Sequence, residues 1–214
     1  METDSMNFTI PKTDTPRIIT HFSSLLAKHG MSAKSLDWGS RQSQETRFAV
    51  LADMTDLSGA SILDVGCGLA DFHTWLLERG VPHDYTGIDV TPEMVTAASA
   101  RFPDITVHQG EILACTLFPE RSFDYVFASG IFYLRQEAPE AYMQAAVKRL
   151  FSLCRKGLAF NSLSTWSPAR DPDEFYASPL TTAAWCAELS SQLVLRHDYH
   201  AGDFTIYLYR GKSA

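Results

Sequence analysis

Apolar residues recur along this chain with two different periods, and the change from one to the other organises the reading. Between Thr15-Pro16 and Gly30, the residues Ile18, Ile19, Phe22, Leu25 and Leu26 fall on one helical stripe. Thr15 is placed to cap this helix, Pro16 suits its first turn and Gly30 its stop. A stripe of this kind packs into a core or lies over a cleft as a lid, and the pattern leaves both open. A second helix is predicted after Trp38-Gly39-Ser40, with Phe48, Leu51 and Met54 facing inward, before Ser58-Gly59 breaks the chain. Residues 1–15 are polar and read as loose.

From Ser61 onward, short runs rich in Ile, Val, Phe and Tyr alternate with longer segments of helical period, the signature of successive βα units. Strands are predicted at 62–65, 85–89, 106–109, 123–128 and 158–161, with helices at 71–78, 92–101 and 139–154. After a proline-bearing loop, a helix over 181–190 precedes strands at 193–197 and 204–209. Only about six residues join these last strands, too few for a parallel crossover, so they must be antiparallel. The expected fold is α/β. It has a single Rossmann-like, doubly wound sheet, mostly parallel with one antiparallel strand near the C-terminus, helices on both faces and an N-terminal helical extension. We divide the chain into a helical extension or lid, 1–57, and a core, 58–214.

Composition narrows the function. Of 214 residues, 45% are hydrophobic, enough for a sizeable core, and the formal charge is −7 with no run of Lys and Arg. A nucleic-acid groove or an anionic-membrane surface is disfavoured. The nearest basic cluster, Lys148, Arg149, Arg155 and Lys156, reads as cations complementing a helix C-terminus. Four dispersed cysteines, Cys67, Cys115, Cys154 and Cys186, form neither a zinc spacing nor a disulfide framework, so no metal is expected. The N-terminus lacks a basic n-region and an apolar h-region, and no apolar stretch is long enough to span a bilayer. A cytoplasmic protein in a reducing compartment is expected.

The chemistry concentrates at strand ends. Ile62 to Val65 runs into Gly66-Cys67-Gly68-Leu69-Ala70 and then directly into a helix. Glycines at this turn allow positive φ and close approach of a ligand to the backbone. Asp71 stands where a dinucleotide motif would carry its third glycine, and with Asp64 it suits a cationic ligand better than a pyrophosphate. About 20 residues beyond the glycines, Asp89 ends the second strand, where a carboxylate can accept both hydroxyls of a ribose. After the third strand, Gly110-Glu111-Ile112 offers an acid for an adenine amino group beside an aliphatic flank. After the fourth, Ser129-Gly130-Ile131-Phe132 lies where a substrate would meet a cofactor. Each signal alone is unspecific; their order and spacing are not.

Taken in this order, residues 38–210 resemble the class I S-adenosylmethionine-dependent methyltransferases of small-molecule type. The resemblance rests on Asp64-Val65-Gly66-Cys67-Gly68, Asp89 and Glu111-Ile112, with Ala70 departing from the third glycine that many members carry. It implies S-adenosylmethionine as cofactor, S-adenosylhomocysteine as product, and Val90, Met94 and Ser129 as further cofactor contacts. It also places Trp38 and Arg47 at the methionine end, with Arg47 pairing the carboxylate; a packed tryptophan and a surface arginine remain the alternative.

Candidate catalytic groups are side chains at the carboxyl ends of the strands: Tyr133, Asn161, Trp166, His197, His200 and Asp203. His200 is the first choice for a base, in a loop with Asp203 near enough to orient it, with Tyr133 beside it as a second catalytic candidate; His73 is weaker. Simple solvation of His200 is the competing reading. Ser129-Gly130-Ile131-Phe132 replaces the Asn/Asp-Pro-Pro-aromatic signature of nucleic-acid and glutamine enzymes, so the expected acceptor is a small molecule and the partner set excludes nucleic acid and membrane. Phe132, Tyr133, Trp166, Phe175 and Tyr176 are candidates for its pocket, and the protein is expected to be a monomer or homodimer. A nicotinamide-dependent oxidoreductase and a catalytically silent partner-binding module are the alternatives.

Overall fold

The computed structural model describes residues 13–211; the expectation for 1–12 lies outside this range. Seven strands form one sheet: β1 (Ala60–Val65), β2 (His83–Asp89), β3 (Thr106–Gln109), β4 (Phe123–Ala128), β5 (Cys154–Leu163), β6 (Gln192–Arg196) and β7 (Asp203–Tyr209). Their order is β3-β2-β1-β4-β5-β7-β6. The first five pair in parallel, and β7 inserts antiparallel to both β5 and β6. The short β6–β7 connection therefore reverses one strand, as its length requires.

Alternation along the central strands gives the sheet two apolar faces. Leu63, Val65, Val126, Ala128, Leu158 and Phe160 face one core, with α5 (Pro139–Leu153) and α6 (Pro179–Leu189) packed on it. Ile62, Tyr125, Phe127 and Ala159 face the other, covered by α2 (Arg41–Ala52), α3 (Asp71–Glu78) and α4 (Pro92–Arg101). Strands buried on both faces are the reason their sequences read as continuous apolar runs.

The N-terminal helix α1 (Thr15–His29) has no fully buried residue, and a 3-10 turn, Ala33–Leu36, links it to α2. It lies as a strap across the strand ends. Asp14 N–H donates to Gln136 Oε1 at 3.0 Å, after β4, and Ser23 Oγ donates to Glu93 Oε2 at 2.8 Å, on α4. Its cap is Asp14, which accepts from Arg17 N–H, one residue before the expected Thr15. Ser40 caps α2 through Ser43 N–H at 3.0 Å.

The main departure in secondary structure concerns 154–157. Helix was expected through Cys154, but α5 stops at Leu153 and β5 starts at once, because Phe123 and Tyr125 of β4 pair with Cys154 and Gly157. Arg155 and Lys156 therefore serve no helix terminus; both pair with Asp124, and Arg149 donates to the carbonyls of Cys115 and Phe118.

Candidate active site

The glycine turn is held by the end of the neighbouring strand. Gly66 and Cys67 N–H donate to the Ile88 carbonyl at 2.8 and 3.2 Å, and Gly68 N–H donates to Asp89 Oδ2 at 2.8 Å. Gly66 has φ 71°, and a Cβ there would collide with Ile131. A Cβ on Gly68 would come within 2.5 Å of Leu36, so this glycine lets the 3-10 turn close over the loop and does not itself line the cleft. Ala70 has φ 59°, left-handed backbone that an alanine adopts with some strain.

Asp89 is already paired at its strand tip. Its Oδ1 accepts Thr91 N–H at 2.8 Å and its Oδ2 accepts Gly68 N–H. Burial raises its pKa and these two amides oppose the rise. A carboxylate has about four lone-pair sites, so two stay available for hydroxyl donors. Asp64 is buried and accepts the Tyr85 hydroxyl at 2.6 Å; burial, with help from Asp89 and Asp71, pushes its pKa up to about 7. Asp71 is already engaged, by Arg101 at 2.8 Å and Gln44 at 3.2 Å, so of these two acids Asp64 is the one without a cationic partner among the described residues.

These groups converge on a cleft of about 1070 Å³, its open mouth included. Asp64, Gly66, Cys67 and Asp71 form its floor, Asp89, Val90 and Met94 one side, and Gly110, Glu111 and Ile112 the far end. Ser129 and Tyr133 close the side toward β4, while Trp38 and, from α1, Ile18 and Phe22 lie over it. Cys67 is a wall residue whose buried thiol is held well above its usual pKa. Glu111 supplies the sharpest indication of a missing partner. Its Oε2 accepts Ala114 N–H at 2.9 Å, while its Oε1 is buried without a hydrogen bond from any described residue. Such an oxygen is costly unless a ligand donor reaches it, and an adenine amino group beside Ile112 would satisfy it.

A second cavity lies behind a shared wall of Leu36, Trp38, Gly130 and Tyr133. The wall is tight: a Cβ on Gly130 (φ 72°) would come within 2.9 Å of the Trp38 ring. Asn161 pins it from β5, accepting Gly130 N–H at 2.8 Å and donating to Ser129 Oγ at 3.1 Å. Arg47 belongs to this cavity and not to the cofactor cleft, which corrects the carboxylate-pairing role expected of it. It is a buried residue whose guanidinium pairs with Asp203, donates to the Ser43 carbonyl and hydroxyl at 2.8 and 2.6 Å, and lies 5.0 Å from the Trp38 ring centroid.

His200 likewise departs from its expected role. It is half exposed in the β6–β7 loop and lines neither cavity, and its Nδ1 accepts Gly202 N–H at 3.1 Å. The Asp203 that was to orient it is committed to Arg47, with the nearest His200 nitrogen 3.6 Å away. His197 bonds Ser164 at 2.8 Å and packs against Trp166. His73 sits 2.8 Å from His83, its pKa lowered to about 4 by burial. Of the aromatics proposed for an acceptor pocket, Phe132 and Tyr133 reach the second cavity; Trp166, Phe175 and Tyr176 do not.

Tyr133 borders both cavities. Its hydroxyl donates to Asp37 Oδ2 at 2.7 Å, with His21 Nε2 3.2 Å from the hydroxyl and 3.0 Å from the same carboxylate. Burial first, and Asp37 second, keep its pKa above the ordinary phenol value. His21 and Asp37 are absent from the sequence reading. They meet only because α1 folds back over the strand ends, and the one local sign, a left-handed Asp37 at φ 60°, is itself structural.

Comparison with known proteins agrees with this geometry. Residues 62–157 match the family described as "Methyltransferase domain". A putative methyltransferase of Mycobacterium tuberculosis is 38% identical over 154 residues, covering 68% of this chain and 90% of that protein. A trans-aconitate 2-methyltransferase of Rhizobium meliloti is 31% identical over 104 residues, 48% of this chain and 40% of that protein. In fold, the chain resembles magnesium protoporphyrin IX methyltransferase from Synechocystis, crystallised with bound SAM. The TM-score is 0.65 at 15% identity, over 95% of this chain and 100% of that one. With the orphaned Glu111 oxygen, the paired Asp89 and the buried Asp64 in one cleft, this chain belongs to the class I S-adenosylmethionine-dependent methyltransferases.

Proposed function

We propose that the enzyme methylates a small molecule held in the second cavity. The reacting atom of that molecule reaches the cofactor cleft when the Trp38–Gly130–Tyr133 wall parts, because in-line transfer requires direct contact with the methyl group. The observation that carries this reading is the shared wall itself: Trp38, Gly130 and Tyr133 line both spaces. The acceptors named for the relatives above, trans-aconitate and magnesium protoporphyrin IX, are also small molecules.

When bound, S-adenosylmethionine supplies an electrophilic methyl group on a positively charged sulfur that departs as a neutral thioether. The protein's task is alignment and exclusion of water. Asp89 would hold the ribose hydroxyls, Glu111 and Ile112 the adenine, and Asp64 the cationic end. Residues 13–57 act as the lid, with Ile18, Phe22 and Trp38 shielding the cleft. Tyr133, its proton directed at Asp37, turns its oxygen lone pairs to the acceptor as an orienting group.

Calorimetric titration with S-adenosylmethionine, S-adenosylhomocysteine and a nicotinamide dinucleotide tests the cofactor assignment. Micromolar binding of the first two alone, about −8 kcal/mol, is expected, and dinucleotide binding in their place would overturn it. For the wall, Trp38→Ala should lower turnover of any acceptor more than it lowers S-adenosylhomocysteine affinity; equal losses would count against two cavities.

A further inference from the structure

Resting on the reading that the second cavity receives the acceptor, we propose that the acceptor is recognised there through an amine, and that carboxylate acceptors are rejected. The argument is a count of what the cavity's polar groups still offer. Its one cation, Arg47, is spent. Nε and Nη2 face Asp203, and Nη1 donates to the Ser43 carbonyl and hydroxyl. Recruiting it to an incoming carboxylate would strip the buried Asp203 of its partner, a costly exchange.

Several other donors are committed, while the Trp38 indole N–H, the Ser43 hydroxyl and the second Asn161 amide proton have no acceptor among the described residues. Asn161 Nδ2 donates to Ser129, the Tyr133 hydroxyl to Asp37, and Ser162 Oγ to the Leu163 carbonyl at 3.3 Å. The most deeply unmet group is an acceptor. Asp203 is 3% exposed, and its Oδ1 has no hydrogen-bond partner among the described residues. The group nearest to filling that role is His200 Nδ1 at 3.6 Å, which uses its lone pair on Gly202 N–H and so has no proton to give. Tyr199, also near, shares a hydrogen bond with Thr205 Oγ1 at 2.8 Å in which either hydroxyl can donate. Asp37 and Glu174 add two more carboxylates to the lining, so three acids face a single neutralised arginine. A cavity with a buried, unpartnered carboxylate oxygen and more acids than cations in its lining complements a donor-bearing cation. The faces of Trp38, Phe132 and Tyr133 suit an apolar or aromatic body attached to it.

The test uses a matched pair of probes, tyramine and 4-hydroxyphenylacetate, titrated into protein saturated with S-adenosylhomocysteine. The amine should bind at least about tenfold more tightly than the acid. Asp203→Asn should erase the preference while S-adenosylhomocysteine still binds. Because Asp203 is buried, the rim double variant Asp37→Asn/Glu174→Gln serves as a second arm and should reduce the preference about threefold or more if the charge argument holds. Equal or tighter binding of the acid, or saturation by neither probe up to about 10 mM, overturns the proposal. S-adenosylhomocysteine titration of each protein reports separately on the cofactor cleft, so loss of cofactor binding would be charged to that assignment and not to this one.

Discussion

The two cavities open at the same end of one sheet, yet different parts of the chain build them. The cofactor cleft draws its polar groups from consecutive strand ends within 64–112, each fixed by bonds to an adjacent turn: Asp89 to Gly68 and Thr91, Glu111 to Ala114. The second cavity joins residues more than a hundred positions apart, such as Arg47 with Asp203, or Tyr133 with His21. The first presents carboxylate oxygens already fixed by backbone amides. The second depends on one buried ion pair and a strap of helix, which makes it the part in which acceptor specificity can change while the cofactor cleft stays intact.

The largest difference should appear in stability. Arg47→Ala leaves Asp203 charged and unpaired in a buried place, which costs about 3–5 kcal/mol in urea unfolding. The double replacement Arg47→Met/Asp203→Leu should recover most of that loss, since apolar isosteres tolerate the site. A single-variant loss under about 1 kcal/mol would show that the pair does not hold the second cavity.

Next in size is a pH effect confined to the cofactor cleft. Asp64 keeps its proton up to about pH 7 when folded but releases it near the ordinary aspartate value of 3.8 when unfolded. Between those values the unfolded state binds fewer protons, so this group makes stability fall as pH rises from about 4 to about 7, by a few kcal/mol in order of magnitude. His73, lowered to about 4, acts in the opposite sense: it costs stability as pH falls below about 6.5. The difference between wild type and Asp64→Asn isolates the acid. In ligand-free protein the wild type should lose stability relative to the variant across this window, and parallel curves would refute the assignment.

Smaller effects fall on affinity. Asp89→Ala should weaken S-adenosylhomocysteine about 5- to 150-fold, corresponding to about 1–3 kcal/mol, as measured by calorimetry. Glu111→Ala should cost about fivefold, near 1 kcal/mol, because one oxygen and one ligand donor are involved. If Glu111→Ala cost more than Asp89→Ala, the order of importance along the cleft would be reversed.

The cofactor cleft was the more legible of the two regions. Glycine spacing, an acid at each strand tip and period-two apolar runs are local signals, and Asp71–Glu78 and Pro92–Arg101 are helices with the bounds their caps and periodicity predict. Arg47 and His200 went astray for a common reason. His200 was assigned from local context, a polar loop, and Arg47 from family resemblance, whereas a buried charge takes whichever opposite charge the fold brings within reach. For Arg47 that is Asp203, at the head of β7. The end of α5 was misplaced similarly, since pairing with β4 and β7 outweighs helix propensity at 154–157.

By itself, then, the amino-acid order determined the sheet, its one reversed strand and the acids that line one cleft, because turn geometry, strand alternation and loop length act over a few residues. Only the tertiary structure decided which cavity owns Arg47, that Asp203 carries an unpartnered oxygen, and that His21, Asp37 and Tyr133 converge. Those contacts depend on how α1 and β7 close over the strand ends, and burial there turns ordinary polar side chains into paired or unsatisfied ones.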